Sequence, residues 1–162
     1  GEINHEVNVE AGKEVFHISG NKYKFNDAKA VCKAFDSELA TYDQIENAYN
    51  SGAEWCSYGW SKDQLALFPT QKETWNKLKE KKGHEHDCGR PGINGGYIAN
   101  PYINFGVNCF GYKPNKIFEN QGQEINYPLN NEDLEINKKS EEYKKNLDNF
   151  KMSPFNSNRW KQ

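Results

Sequence analysis

The stretch 38–60, ELATYDQIENAYNSGAEWCSYGW, decides how the rest of the chain is read. A short apolar strand runs into a helix. Thr41 and Gln44, three residues apart, form a capping box: the hydroxyl accepts from the first helical turn and the amide reaches back to the cap. Ile45, Ala48 and Tyr49 supply a buried stripe at helical spacing. Gly52 can end the helix in the left-handed conformation. A strand through EWCSYGW then sets Cys56 among Trp55, Tyr58 and Trp60, whose main role is a core of rings around a cross-link.

Composition agrees with such a core. The chain has 162 residues, a net charge of −2, 35% apolar residues and 14% aromatic ones. That is one domain with extensions. A pI near 6.1 argues against nucleic acid as a partner. No apolar run reaches the length of a membrane helix, and no signal peptide is visible. The chain starts at Gly1, which suggests a processed form or a fragment, and a membrane anchor upstream is compatible with it. The four cysteines, Cys32, Cys56, Cys88 and Cys109, include no C-x-x-C pair. Wide spacing and even number suggest two disulfides and an oxidising compartment, and three pairings are possible.

Outward from the opening stretch, residues 1–13 read as a polar arm. EVFHISGNKYKF predicts a strand, a turn at Gly20-Asn21 and a second short strand. Asn26 can cap a helix carrying Ala28, Val31, Cys32 and Phe35 on one face. LALF is a strand. Thr70 and Glu73 repeat the capping-box pattern before a lysine-rich helix that runs to Gly83, with Trp75 and Leu78 on its apolar side. DCGRPGINGGY is a glycine-rich turn region, and YINFGVNCFGY closes the globular part as a strand. From Lys113 onward Asn, Glu and Lys dominate. A helix over 131–149 carries Leu134, Tyr143, Leu147 and Phe150, and the tail MSPFNSNRWKQ ends the chain.

Catalytic and metal chemistry find little support. His84, His86 and Asp87 cluster in GHEHDC without a distant third ligand, so no metal is assigned. GINGG lacks the Lys-Ser/Thr and helix of a phosphate loop. No Ser-His-Asp or paired-carboxylate spacing implies catalysis, and the cysteines are needed for bridges. The protein is therefore read as non-enzymatic and free of cofactors.

The blocks KYKFNDAKAVC, ELATYDQIENAYNSGAEWCSYGW, FP, CG…PGI and FGVNCFGY together resemble the Link module, a family that binds hyaluronan in matrix and cell-surface proteins. The resemblance spans residues 14–113. It implies an α+β fold of two helices on small antiparallel sheets, similar to C-type lectin domains, with Cys32 bridged to Cys109 and Cys56 to Cys88. It also implies a sugar groove. A uronic acid needs Lys or Arg for its carboxylate, and the apolar face of a pyranose stacks on an aromatic ring. Those roles fall on Lys22, Tyr23, Phe68, Arg90 and Tyr97. Phe68 keeps the family's ring without its hydroxyl, Arg90 replaces an aromatic, and Ala99 stands near the place of a groove arginine. The stretch between Pro69 and Cys88 is longer than in typical members.

That extended form, with the SPFN…W ending, is similar to Link-like proteins of large DNA viruses. Two functions follow. One is a structural or surface component of a virion, a minor capsid or membrane-associated protein, that fastens other virion or capsid proteins through its arms. There the 114–162 extension serves as the anchor, with Phe155 and Trp160 as docking rings. The other is an attachment module for an acidic polysaccharide on a cell or virion surface.

Overall fold

The computed structural model describes residues 12–112 and 131–154. Strand β1 (Lys13–Tyr23) is buried on both faces over Val15–Ile18, because layers cover the sheet on each side. Phe16 and Ile18 pack against Ala28, Val31 and Cys32 of helix α1 (Phe25–Ala34) and against Phe35. Val15 joins Ile45 and Ala48 of helix α2 (Tyr42–Asn50), with Trp55 and Leu67. His17, on that same side of the pleat, stacks on Trp55 at 5.4 Å.

The remaining elements are β2 (Glu38–Leu39), β3 (Gly59–Ser61), β4 (Leu65–Thr70), α3 (Lys72–Lys79), β5 (Gly92–Tyr97), β6 (Phe105–Tyr112), α4 (Asn131–Lys144) and β7 (Met152–Pro154). The strands form one sheet in the order β5-β4-β3-β6-β1-β7, with β2 on β6. Strand β3 runs parallel to β6 through only two residue pairs, Gly59 with Gly106 and Trp60 with Val107. Asn108 reinforces this short junction. Its Nδ2 donates to Leu67 O at 2.9 Å, Ser61 Oγ at 3.0 Å and Gly59 O at 3.2 Å. Its Oδ1 faces His17 Nδ1 at 2.8 Å. A Cβ at Gly59 would overlap the Asn108 amide, so glycine is required there by close approach.

The chain is an α+β protein with two disulfides, Cys32–Cys109 and Cys56–Cys88. The first is fully buried and ties α1 to β6. The capping box at Thr41 and Gln44 forms with both hydrogen bonds, and Gly52 has φ +104°. Other local expectations are displaced by tertiary partners. The Gly20-Asn21 turn lies within β1, where the register against β6 shifts between Ile18 and Tyr23. Helix α1 begins after Lys24, not Asn26, because Pro101 O accepts the Phe25 N–H. EWCSYGW is a strand only over Gly59–Ser61. Thr70 does not cap α3. Its buried hydroxyl donates to Cys88 O at 2.7 Å, and Glu54 instead accepts from Gln71 N and Thr74 Oγ1.

The largest difference concerns the C-terminal extension. The helix over 131–149 ends at Lys144 and a 3-10 turn covers Leu147–Asn149. Its rings do not wait for a neighbouring molecule. Tyr143, Leu147, Phe150 and Met152 pack on the core cluster of β1 and α1. Phe150 meets Phe35 edge-on at 5.5 Å and stacks on Tyr23 at 6.1 Å. Ser140 Oγ donates to Ala30 O at 3.0 Å, Lys139 pairs with Asp27 at 2.7 Å, and β7 pairs with β1 over three residues. An isolated helix of this length is marginal in water, so the module's own face supplies its partner. Leu134 is the exception and stays 53% exposed. Residues 1–11, Phe155 and Trp160 lie outside the described residues.

Two predictions follow from these contacts. Phe150→Ala removes a ring from the Tyr23–Phe35–Tyr143 cluster, and the melting temperature of the full chain should fall on the order of 10 °C; differential scanning calorimetry measures it. The second concerns His17. Burial holds its pKa down at about 4, against the opposing hydrogen bond from Asn108. The unfolded chain, with a histidine near its ordinary value, therefore binds a proton that the folded chain refuses. Stability should fall as pH drops from about 6.5 to about 4, by roughly 3 kcal/mol from this residue. Urea melts of the parent and His17→Gln across that window should show the histidine-dependent part of the slope disappear in the variant.

Candidate functional site

Strand β4 pairs with β5 so that Phe68 lies opposite Asn94. The ring of Phe68 is nearly buried and meets Tyr58 edge-on at 4.8 Å. Tyr58 in turn contacts Phe105 at 5.6 Å, and Phe105 meets the buried Trp60 at 5.1 Å. Tyr58 is thus a 40% exposed ring propped by two others. Gly95 has φ +106°, and a Cβ there would strike Ala66 O and come within 3.0 Å of Tyr58 Cε1. Glycine lets β5 pass beneath the tyrosine.

Arg90 is fixed to this face by its backbone. Its N–H donates to Asn94 Oδ1 at 3.1 Å, and Asn94 Nδ2 donates to Arg90 O at 2.9 Å and Thr70 Oγ1 at 3.2 Å. The side chain of Arg90 is exposed. At the other side, Tyr23 pairs with Phe105 in the β1–β6 register, one residue beyond the exposed Lys22. Phe68 and Arg90 are therefore joined through Asn94, and the row Phe68–Tyr58–Phe105 leads to the Lys22–Tyr23 end of β1.

Tyr23 and Tyr97 stand differently. The ring of Tyr23 lies against Tyr143 at 6.2 Å and Phe150 at 6.1 Å, and burial raises its hydroxyl pKa. It props the C-terminal segment and is not presented to solvent as a stacking platform. Tyr97 pairs with Leu65 at the far end of β5 and is 64% exposed. It borders a separate hollow with Phe25, Lys62 and Gln64.

Residues that the sequence did not single out complete the surface. Tyr58 reads as core if EWCSYGW is a strand, since it shares a face with Trp60. The strand starts only at Gly59, which frees the tyrosine. Tyr102 is 71% exposed, with Lys24 Nζ 5.8 Å from its ring. Trp60 Nε1 holds its neighbourhood by donating to both Tyr23 O and Ile103 O. The double lysine of KYK was the available signal for Lys24. His84 faces Asp87 at 2.7 Å, and among the described residues no three His, Cys, Asp or Glu side chains converge as metal ligands. Exposed rings beside Lys and Arg suit an anionic sugar: the rings take pyranose faces and the cations take carboxylates.

Comparison with known proteins bears on the family. The mouse versican core protein is 37% identical over 57 residues, which cover 35% of this chain and 2% of that protein. Bovine versican core protein is 39% identical over 57 residues, again 35% and 2%. The mouse lymphatic vessel endothelial hyaluronic acid receptor 1 is 44% identical over 45 residues, 28% of this chain and 14% of the receptor. The chain thus matches only small parts of these relatives. The sequence pattern described as "Extracellular link domain" matches residues 14–110, more than half of the chain and nearly all of the sheet with α1, α2 and α3. The chain belongs to the extracellular link domain family.

Proposed function

We propose that the chain is a non-catalytic module that binds an acidic, hyaluronan-like polysaccharide on an extracellular or other oxidised surface. One observation carries the reading: Tyr58 is held exposed between Phe68 and Phe105, and Arg90 is tied by its backbone to Asn94, the residue opposite Phe68. Family membership and the relative named as a hyaluronic acid receptor support it. The two disulfides fit an oxidising compartment. We take residues 14–113 as the binding unit, braced by residues 131–154. The reading as a virion or capsid component has the chain's arms fasten neighbours, and residues 1–11, Phe155 and Trp160 of those arms lie outside the described residues. Residues 131–154 are instead folded on the module itself.

Titration calorimetry of the full chain with a hyaluronan octasaccharide tests the proposal. Tyr58→Ala should weaken binding by about tenfold, the upper range for a lost stacking ring. Lys22→Ala should weaken it less and flatten the salt dependence, since a charge contact disappears. Unchanged affinity in both variants would move the sugar off this face. Failure of the parent chain to bind any uronic-acid polymer sinks the reading.

A further inference from the structure

Among the asparagines of the chain, Asn94 alone is followed by glycine. It lies in β5, the end strand of the sheet, which among the described residues is bordered only by β4. Asn94 is 7% exposed, and no other residue of β5 is buried. Its amide is the tie that holds the strand to the segment before it. Oδ1 accepts from Arg90 N, and Nδ2 donates to Arg90 O and Thr70 Oγ1.

The surroundings make opening of β5 a local event. Cys88 is bridged to Cys56 on one side of the strand. On the other side Ile98 and Gln64 exchange two hydrogen bonds, Ile98 N to Gln64 O at 3.1 Å and Gln64 Nε2 to Ile98 O at 2.8 Å. Between these clamps the strand carries three glycines and little apolar surface. Such a segment opens at lower free energy than the core. When it opens, Asn94 and the Gly95 amide are released together.

We infer that Asn94-Gly95 is a modification site, at which spontaneous deamidation of Asn94, gated by the opening of β5, unseats Arg90. In the reaction Gly95 N bonds to Asn94 Cγ, and Nδ2 leaves as ammonia. Glycine has no Cβ to crowd the five-membered imide. Water then opens the imide at either carbonyl, giving an aspartyl or an isoaspartyl residue. Water is the one co-reactant, and nothing is oxidised or reduced. The product cannot return to the closed strand unchanged. A carboxylate at 94 has no hydrogen for Arg90 O or for Thr70 Oγ1, whose own hydrogen is engaged by Cys88 O. A buried anion facing acceptors is destabilising. The isoaspartyl form also adds a backbone atom and breaks the register of β5 on β4. Arg90 thereby loses its anchor beside the Tyr58 face. The chemistry is independent of sugar binding, and only its effect on affinity rests on the function proposed above.

The full chain, disulfides intact, should be incubated in mildly alkaline buffer over a urea series that stays below global unfolding. Peptide mass mapping then follows Asn94, with the exposed Asn50 before Ser51 as internal reference. Asn94 should convert to both products, at least about tenfold more slowly than in the unfolded chain. Its rate should climb with urea before the chain unfolds globally, while that of Asn50 stays level. Asn94→Asp should lower the melting temperature by roughly 5 °C or more. It should also weaken a hyaluronan octasaccharide by about fivefold. The inference is overturned if Asn94 yields no product in the folded chain while Asn50 converts, or if its rate stays flat until global unfolding. A melting temperature and affinity in Asn94→Asp equal to the parent's overturn the unseating of Arg90. A parent that binds no hyaluronan sinks the sugar reading instead, and the mass map still decides the modification.

Discussion

The sheet depends on one buried amide. Asn108 stands on β6 at the place where β3 joins by only two parallel pairs. Its side chain reaches across β3 to Leu67 on β4 and back to His17 on β1. Four strands therefore share one polar node inside the core. A half-satisfied node would cost more than an apolar residue, but here the Oδ1 and both Nδ2 hydrogens are engaged. Glycine at 59 leaves the space that the amide fills, and Gly106 does the same for the His17 ring. The exposed Tyr58 and the strand carrying Phe68 both hang from this junction. The geometry of the aromatic face follows from it.

Where local signals and tertiary contacts agree, the fold was legible in the residues. Thr41 and Gln44 cap each other within one helical turn, so nothing distant can change the outcome. The cysteines fall where the family pattern places its bridges. Thr70 and Glu73 show the opposite case. The same pattern is present, but the Thr70 hydroxyl finds a better buried partner in Cys88 O, and Glu54 arrives from another segment to cap the helix. Tyr58 was obscured for a related reason. Alternation predicts its side only if the strand extends that far, and the Ser57 N–H closes a tight turn on Trp55 O instead. The part of the candidate site that could be read was the identity of Phe68, Arg90 and Lys22. Which rings face solvent was set by strand ends that no periodicity records.

The extension decides what Tyr23 packs against in this chain. Tyr23 sits where a stacking ring is expected, yet Tyr143 and Phe150 cover it. The reason is visible in the balance of surfaces. The β1 and α1 face presents Tyr23 and Phe35, and in this chain Phe150 packs against both. The segment after Asn131 has too few apolar residues to fold alone, and the two deficits cancel. Sequence alone shows the apolar residues of such a helix and leaves open whether they face the same chain or another one.

A chain with net charge −2 can still hold a polyanion, because affinity depends on where charges sit within a Debye length of the ligand. Acidic and basic residues are not mixed evenly here. Asp27 of α1 and Asp36 just beyond its end are matched by Lys139 and Lys144 of α4, while Lys29 and Lys33 meet Glu132 and Asn137. Helix α4 is thus docked by an alternating set of weak, exposed contacts around a core of rings. The rings supply the docking energy, since solvent-exposed ion pairs contribute little. Loss of any one ionic contact therefore leaves the helix seated on its rings.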